Sequence, residues 1–180
     1  MKKTDGFTLI EAIITLVVVA MVIAVGIPGL SSIMANNQAA AHSNSLITAF
    51  SFARSESVKQ GVNVSICARD ASAQDGFTCG EGDNDWADGW FVFLDPDGNA
   101  AAGYTPPADE RRRSWPAQPG NYTVTAPVAV GFNSSGSIQG DADAVFSLIY
   151  EYCTGEQNRT ITITTTGHTS VKKEPCTDEQ

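Results

Sequence analysis

The hydrophobic positions at the start of the chain form one long run. Every residue from Phe7 to Leu30 is uncharged except Glu11, and nearly all of them are apolar. At about 1.5 Å per residue a helix of this length reaches about 36 Å, enough to cross a hydrocarbon core of about 30 Å. Lys2 and Lys3 precede the run. The pattern therefore predicts a single membrane span with a cytoplasmic N-terminus and the rest of the chain on the far side.

The helical pattern continues beyond this run and changes character. Pro28 and Gly29 interrupt it, and because proline removes a backbone donor and glycine weakens a helix, we predict a kink or local melting there. Apolar residues then recur at helical spacing up to Gln60, and Gly61 follows as a C-cap. We expect the His42 side chain to be solvated or to act as a capping residue. The face predicted to be buried comprises Leu30, Ile33, Met34, Ala41, Leu46, Phe50, Ala53 and Ser57.

From Gly61 onward the apolar residues recur at every second position, which is typical of strands. Many short strands after one long helix predict an α+β fold, in which an antiparallel sheet wraps the helix. We expect a loop from Thr105 to Gly120, where prolines cluster. The predicted organisation is a leader (1–6), a membrane or filament-core helix (7–30), an amphipathic spine (31–60) and a β-rich domain (61–180). The predicted strands are 62–66, 90–94, 122–126, 128–132, 145–152, 159–165 and 168–172.

Composition and charge narrow the function classes. The formal net charge is −9, and the acids concentrate between Asp70 and Asp97, a surface that does not favour nucleic acid. The sequence contains no phosphate-binding loop and no arrangement of nucleophile and base, so we expect neither catalysis nor a cofactor. Two acidic stretches, 83–85 and 95–99, resemble the start of calcium loops. The second has Ala100 and Pro106 where the glycine and glutamate should stand, so we interpret both as turns.

Glu11 is the anomaly in the apolar run. An acid inside a membrane helix costs about 2.5 to 3.5 kcal/mol and is by default a functional residue with a partner. Cleavage between Gly6 and Phe7 would create an α-amino group four residues away from Glu11, and a neighbouring copy could supply the same group. Either amine would neutralise the carboxylate.

The stretch from Gly6 to Glu11, Gly-Phe-Thr-Leu-Ile-Glu, resembles the cleavage and assembly motif of type IV prepilins and type II secretion pseudopilins. The resemblance implies that a prepilin peptidase in the inner membrane cuts after Gly6 and N-methylates Phe7. It also implies that the retained helix packs into a filament core. The alternative is a secretory signal peptide cut after Ala24-Val25-Gly26, which would leave a chain that begins at Ile27.

Three further stretches resemble the GspH/FimT/FimU branch of that superfamily: 53–67, Trp86 to Gly98, and the closing hairpin from Arg159 to Gly167. In this branch Trp90 would be buried core, as would Phe93. The resemblance implies a minor pilin in the inner membrane, with its C-terminal domain in the periplasm, that later enters the pilus. It would prime assembly with other minor pilins and the major pilin as partners. The alternatives are a DNA-binding pilin for natural transformation and a GspH-like pseudopilin of type II secretion.

The four cysteines indicate two disulfides and an oxidising compartment. Three connectivities are possible, and we expect the local pairs Cys67–Cys79 and Cys153–Cys176. A zinc site is the alternative for these residues, but no Cys-x-x-Cys spacing supports it.

Two basic clusters are candidates for contact with DNA. Arg111, Arg112 and Arg113 precede Trp115, a composition suited to phosphate contact and base stacking, and Lys172-Lys173 is the second cluster. The alternative for the arginines is a strand edge or loop that balances the acids. DNA-uptake members of the branch carry a glycine-arginine-x-arginine motif, and residues 167–170 here read Gly-His-Thr-Ser, so DNA is possible but not favoured.

Overall fold

The computed structural model describes residues 7–73, 78–80, 83–100, 104, 109–151, 153 and 155–176, with side chains 25–31 and 83–85 excepted. The chain divides into two compact units, 1–37 and 38–180, which we describe separately. Its fold class is the predicted α+β, one helix followed by strands. The helix is α1 (Leu9–Gln60), and the strands are β1 (Val64–Ala68), β2 (Gly89–Leu94), β3 (Glu110–Pro116), β4 (Tyr122–Thr125), β5 (Ala129–Phe132), β6 (Ala144–Tyr150), β7 (Asn158–Ile163) and β8 (Thr169–Glu174).

The described part of the first unit is almost entirely α1, whose helical assignment runs through Pro28 and Gly29. The predicted kink at these two residues stays a prediction. Ile33 and Met34 are 57% and 64% exposed, so their predicted burial is wrong, because residues 7–37 contain no second layer to cover them. No helical stretch in the described part of the chain combines the length and the hydropathy that crossing a membrane requires.

In the second unit, one face of α1 is covered by the sheets. Leu46, Phe50, Ala53 and Ser57 are all at most 2% exposed, which confirms that part of the predicted face, whereas Ala41 is exposed. The helix ends at Gln60, and Gly61 adopts a φ of 69° while its N–H donates to Ser57 O at 3.0 Å. Because a left-handed residue closes the last turn, this is the expected C-cap.

Two four-stranded antiparallel sheets form instead of the single expected sheet. The first, sheet A, has the order β3-β2-β1-β5, and the second, sheet B, has the order β4-β6-β7-β8. The expected loop from Thr105 to Gly120 is wrong, because β3 lies inside it and pairs with β2 as the edge strand of sheet A. Only Trp115 of β3 is buried, so the strand carries no alternating apolar signal. Pro116 stands at its end, where a missing N–H costs no ladder bond.

The central strands of sheet A, β1 and β2, are buried on both faces. Trp90 is 1% exposed and belongs to the main core with Phe50, Trp86 and Phe146, whose rings lie 4.8 to 6.4 Å apart. Phe93 is also fully buried, but it belongs to a second cluster with Cys67 and Phe91. A strand covered on both faces reads as a continuous apolar run, which explains why 90–94 does not alternate.

His42 is 2% exposed, so the expectation of a solvated residue is wrong. Its Nε2 lies 3.0 Å from the carbonyl oxygen of Pro119, and its Nδ1 lies 3.0 Å from the Tyr150 hydroxyl. Since a carbonyl only accepts, the neutral imidazole donates through Nε2 and accepts from Tyr150 through Nδ1. The ring also contacts Tyr122 at 4.4 Å between centroids. Burial lowers the pKa of His42, raises that of Tyr122 to about 12 and raises that of Tyr150.

The depressed pKa of His42 predicts a loss of stability in acid. Below an unfolded-state pKa of about 6.5, the unfolded chain binds a proton that the folded chain resists, so the free energy of unfolding falls as pH falls through this window. Urea unfolding at pH 7.5 and pH 5 measures the change. The variant His42→Asn removes this titration, so the pH dependence of its stability shows the contribution of the carboxylates alone. An equal pH dependence in both proteins would contradict the assignment.

Gly167, in the turn between β7 and β8, predicts a second stability effect. Its φ is 77°, and an added Cβ would overlap the carbonyl oxygen of Gly136. Gly155 has a similar φ of 71° but open space around its Cα. Both changes to Ala incur the left-handed strain of about 1 to 2 kcal/mol, and Gly167→Ala adds an overpacking cost of about 1 to 3 kcal/mol. Equal unfolding midpoints for Gly167→Ala and Gly155→Ala would show that the close approach is not rigid.

Candidate functional site

The start of α1 is capped by Thr8. The N–H of Glu11 donates to Thr8 Oγ1 at 3.3 Å, and the N–H of Ala12 donates to Thr8 O at 3.2 Å. Thr8 is therefore the N-cap, and Glu11 occupies the third helical position, where a capping box carries Glu or Gln. A carboxylate in the first turn also interacts favourably with the helix dipole, by about 0.3 to 1 kcal/mol.

The spacing Thr8-x-x-Glu11 is the sequence signal for this cap, and the expectations for this segment did not include it. Glu11 was interpreted only as a costly acid within an apolar run, whereas the structure places it in the first turn of the helix. The cap and the dipole offset part of that cost. They hold the carboxylate at the beginning of the helix without neutralising its charge.

The processing residues lie at the edge of the described chain. Phe7 is 80% exposed and precedes the N-cap, while Gly6 falls outside the described residues. Cleavage between them and methylation of Phe7 therefore stay predictions.

The N-terminal segment around Glu11 exposes apolar side chains all around. Twelve large apolar side chains between Phe7 and Ile23 are each at least 48% exposed. Contiguous apolar surface of this kind marks a site of interaction with protein or membrane. A helix that is hydrophobic on every face is stable only when it is surrounded.

Both disulfides join the expected local pairs. Cys67–Cys79 closes a loop of sequence separation 12, and Cys153–Cys176 one of separation 23, so all four cysteines are paired. The first bridge anchors a loop beside the outer face of sheet A, where Cys67 is buried with Phe91 and Phe93. The second fixes the end of β8, where the N–H of Cys176 donates to Gly155 O at 2.8 Å. In the chain-entropy model, a disulfide that closes a loop of this size stabilises the folded state by about 3 kcal/mol.

The two basic clusters lie on different sheets. Arg111, Arg112 and Arg113 belong to β3 of sheet A, whereas Lys172 and Lys173 belong to β8 of sheet B. The fold thus gives the arginines the strand-edge position that the alternative expected.

Several of these charges are engaged locally. Arg112 pairs with Glu110 at 3.1 Å, Lys172 pairs with Glu174 at 2.9 Å, and the Arg113 guanidinium lies 4.7 Å from the Trp115 ring centroid. Contact between these clusters and DNA stays a prediction.

The acidic stretch 95–99 forms a turn. Asp95 is 3% exposed, and its carboxylate accepts from Ser65 Oγ at 2.6 Å and from the N–H of Asn99 at 3.2 Å. The side chains of 83–85 lie outside the described residues. Where side chains are described, no group of three His, Cys, Asp or Glu residues is placed to hold a metal.

The sequence matches two family models. Residues 42–167 match the type II transport protein GspH, and residues 1–27 match the prokaryotic N-terminal methylation motif. No curated protein matches the sequence.

Two crystal structures of the type IV minor pilin FimU of Pseudomonas aeruginosa resemble this fold. The P21 form has a TM-score of 0.52 and 18% identity and covers 77% of this chain and 90% of that one. The P65 form has a TM-score of 0.50 and 17% identity and covers 76% and 98%. At this identity the likeness shows the type IV pilin fold alone. Because the GspH model spans well over half of the chain, the protein belongs to the GspH family, within the GspH/FimT/FimU branch of type IV pilins and pseudopilins.

Proposed function

We propose that the protein is a minor type IV pilin that is incorporated into a pilus, and helps to prime its assembly, through its N-terminal helix. The observation that carries the proposal is the exposed apolar surface between Phe7 and Ile23, on a helix that begins with a capped acid. The second unit has its own core, so the helix is available for contacts with other subunits.

The assembly chemistry rests on one charge pair. Cleavage after Gly6 leaves an α-amine on Phe7, and within a helix bundle Glu11 of one subunit meets the amine of a neighbour. Burying either charge alone is costly, and breaking such a pair by removing one partner costs about 3 to 5 kcal/mol. The pair therefore fixes the register in which a new helix enters the bundle. The Thr8 cap supports this role because it holds Glu11 in the first turn.

The surrounding steps follow from the same proposal. Before assembly the chain lies in the inner membrane, with residues 7–30 as its anchor and the second unit in the periplasm. The prepilin peptidase then processes it. Other minor pilins contact its β domain, and the major pilin follows in the filament. The role is structural, without catalysis, cofactor or metal.

A second candidate is a pseudopilin of type II secretion, which the match to the GspH transport protein favours. The helix chemistry is the same in both systems, and they differ in where the filament ends. Recovery of the chain in sheared surface filaments supports the pilus. Recovery only from periplasmic and membrane fractions supports the pseudopilin.

Processing gives the first test. The mature chain is expected to begin at Phe7 and to carry one added methyl group, and Gly6→Val is expected to retain the leader because a branched side chain replaces the residue at the cut. Intact mass and N-terminal sequencing measure both. A mature chain that begins at Ile27 would show signal-peptide cleavage and contradict the proposal.

The charge of Glu11 gives the second test. Glu11→Gln keeps the size of the side chain and a residue type that is favoured at this position of a capped helix, but removes the charge. Co-purification with pilin subunits is expected to fall at least about tenfold, since 1.4 kcal/mol already corresponds to that factor. Glu110→Gln, which disrupts an exposed pair with Arg112 on strand β3, is the matched control. Normal assembly of Glu11→Gln, with processing intact, would refute the charge pair.

A further inference from the structure

A groove of about 770 Å³ lies along α1 in the second unit, beside the turns that contain Ser135 and Gly167. Ile47 and Val58 supply apolar lining, and Arg54, Lys59 and His168 supply donors. None of the described residues that line it is acidic. The chain as a whole has a net charge of −9, so the lining of this groove contrasts with the net charge of the chain.

Arg54 is held in place at this groove. Its Nε donates to Gly136 O at 2.9 Å, and its Nη2 donates to Thr166 O at 3.1 Å. Both acceptors are neutral carbonyl groups. The ion pairs found among the described side chains involve Lys59, Arg112 and Lys172, and none involves Arg54.

A purely structural role explains only part of this arrangement. Arg54 links α1 to the two turns with two of the five N–H donors of its guanidinium group. The role leaves the positive charge without a carboxylate, and it does not explain a second cation, Lys59, on the same groove. A guanidinium already fixed by two carbonyls loses little side-chain entropy when it binds a carboxylate.

We propose that this groove binds an acidic segment of a neighbouring pilin subunit, with Arg54 as the main contact and Lys59 as a secondary one. The proposal rests on the proposed function, because it names the chemistry by which the β domain contacts its partners. Charge complementarity selects the occupant, since an exposed acidic turn, Asp141-Ala142-Asp143, occurs on this domain. Nucleic acid is disfavoured, because a phosphate backbone needs a row of cations and the chain is strongly acidic.

The test uses the full chain in detergent and a fluorescent peptide of alternating Asp and Gly, with its Asn twin as the neutral probe. Anisotropy titrations are expected to show at least about tenfold weaker binding of the Asn twin. Arg54→Gln is expected to weaken binding of the Asp peptide about tenfold, as for loss of a charged hydrogen bond. Lys59→Gln is expected to weaken it about threefold, as for an exposed charge.

Lys172→Gln is the matched control for Lys59→Gln. Both lysines are exposed and pair with a glutamate, at 2.9 Å for Lys172 and 3.4 Å for Lys59, but only Lys59 lines the groove. If Arg54→Gln lowers the unfolding midpoint, its weaker binding could reflect loss of structure. In that case the comparison of Lys59→Gln with Lys172→Gln tests whether the groove binds the peptide.

Three results would overturn the proposal: equal binding of the Asn twin, equal effects of Lys59→Gln and Lys172→Gln, or tighter binding of a single-stranded oligonucleotide of equal charge. The last would assign the groove to nucleic acid. None of these results would affect processing or the Glu11 test, so the proposed function and the groove fail independently.

Discussion

The apolar surface at the start of α1 is the constraint on which the rest of the protein depends. Twelve large apolar side chains between Phe7 and Ile23 are about half or more exposed. Each is worth about 1.5 to 3 kcal/mol when fully buried, so their burial outweighs any single polar contact made by this chain. Because hydrophobic contacts are not directional, this surface provides affinity for other helices but does not fix the register in which they align. In the proposed function, the charge at one defined position, Glu11, distinguishes one helix alignment from the next.

The second unit is a small domain with its own core. The central strands of sheet A, β1 and β2, are covered on both faces, and the two disulfides fix the loop beside the sheet and the last strand. His42 adds a neutral hydrogen-bonded link between α1, the Pro119 carbonyl and Tyr150. Arg54 is held at the groove by carbonyl groups from two turns of this unit. In the two proposals, the helix supplies affinity, while the groove distinguishes between partners.

Features that depend on neighbours in sequence could be predicted. The motif from Gly6 to Glu11, the buried face with Leu46 and Phe50, and the Gly61 cap all follow from local spacing. The cap at Thr8 was equally local and was missed, because Glu11 was considered only as an acid in an apolar run. The edge strand β3 and the burial of His42 depend on distant partners: β3 is defined by pairing with β2, and Tyr150 lies 108 positions after His42. The division into two sheets has the same origin, since strand order is set by contacts that no local pattern contains.

The central claim is that the N-terminal helix is enclosed by other helices in a filament. Its most direct test is the reactivity of a cysteine introduced at Val17 towards a water-soluble maleimide, in filaments sheared from cells and freed of membrane. The account predicts that Val17→Cys is protected in the filament, while a cysteine at the exposed Thr48 of the same helix reacts readily. Equal labelling at the two positions, or recovery of the chain only as a free monomer without residues 7–26, would contradict it.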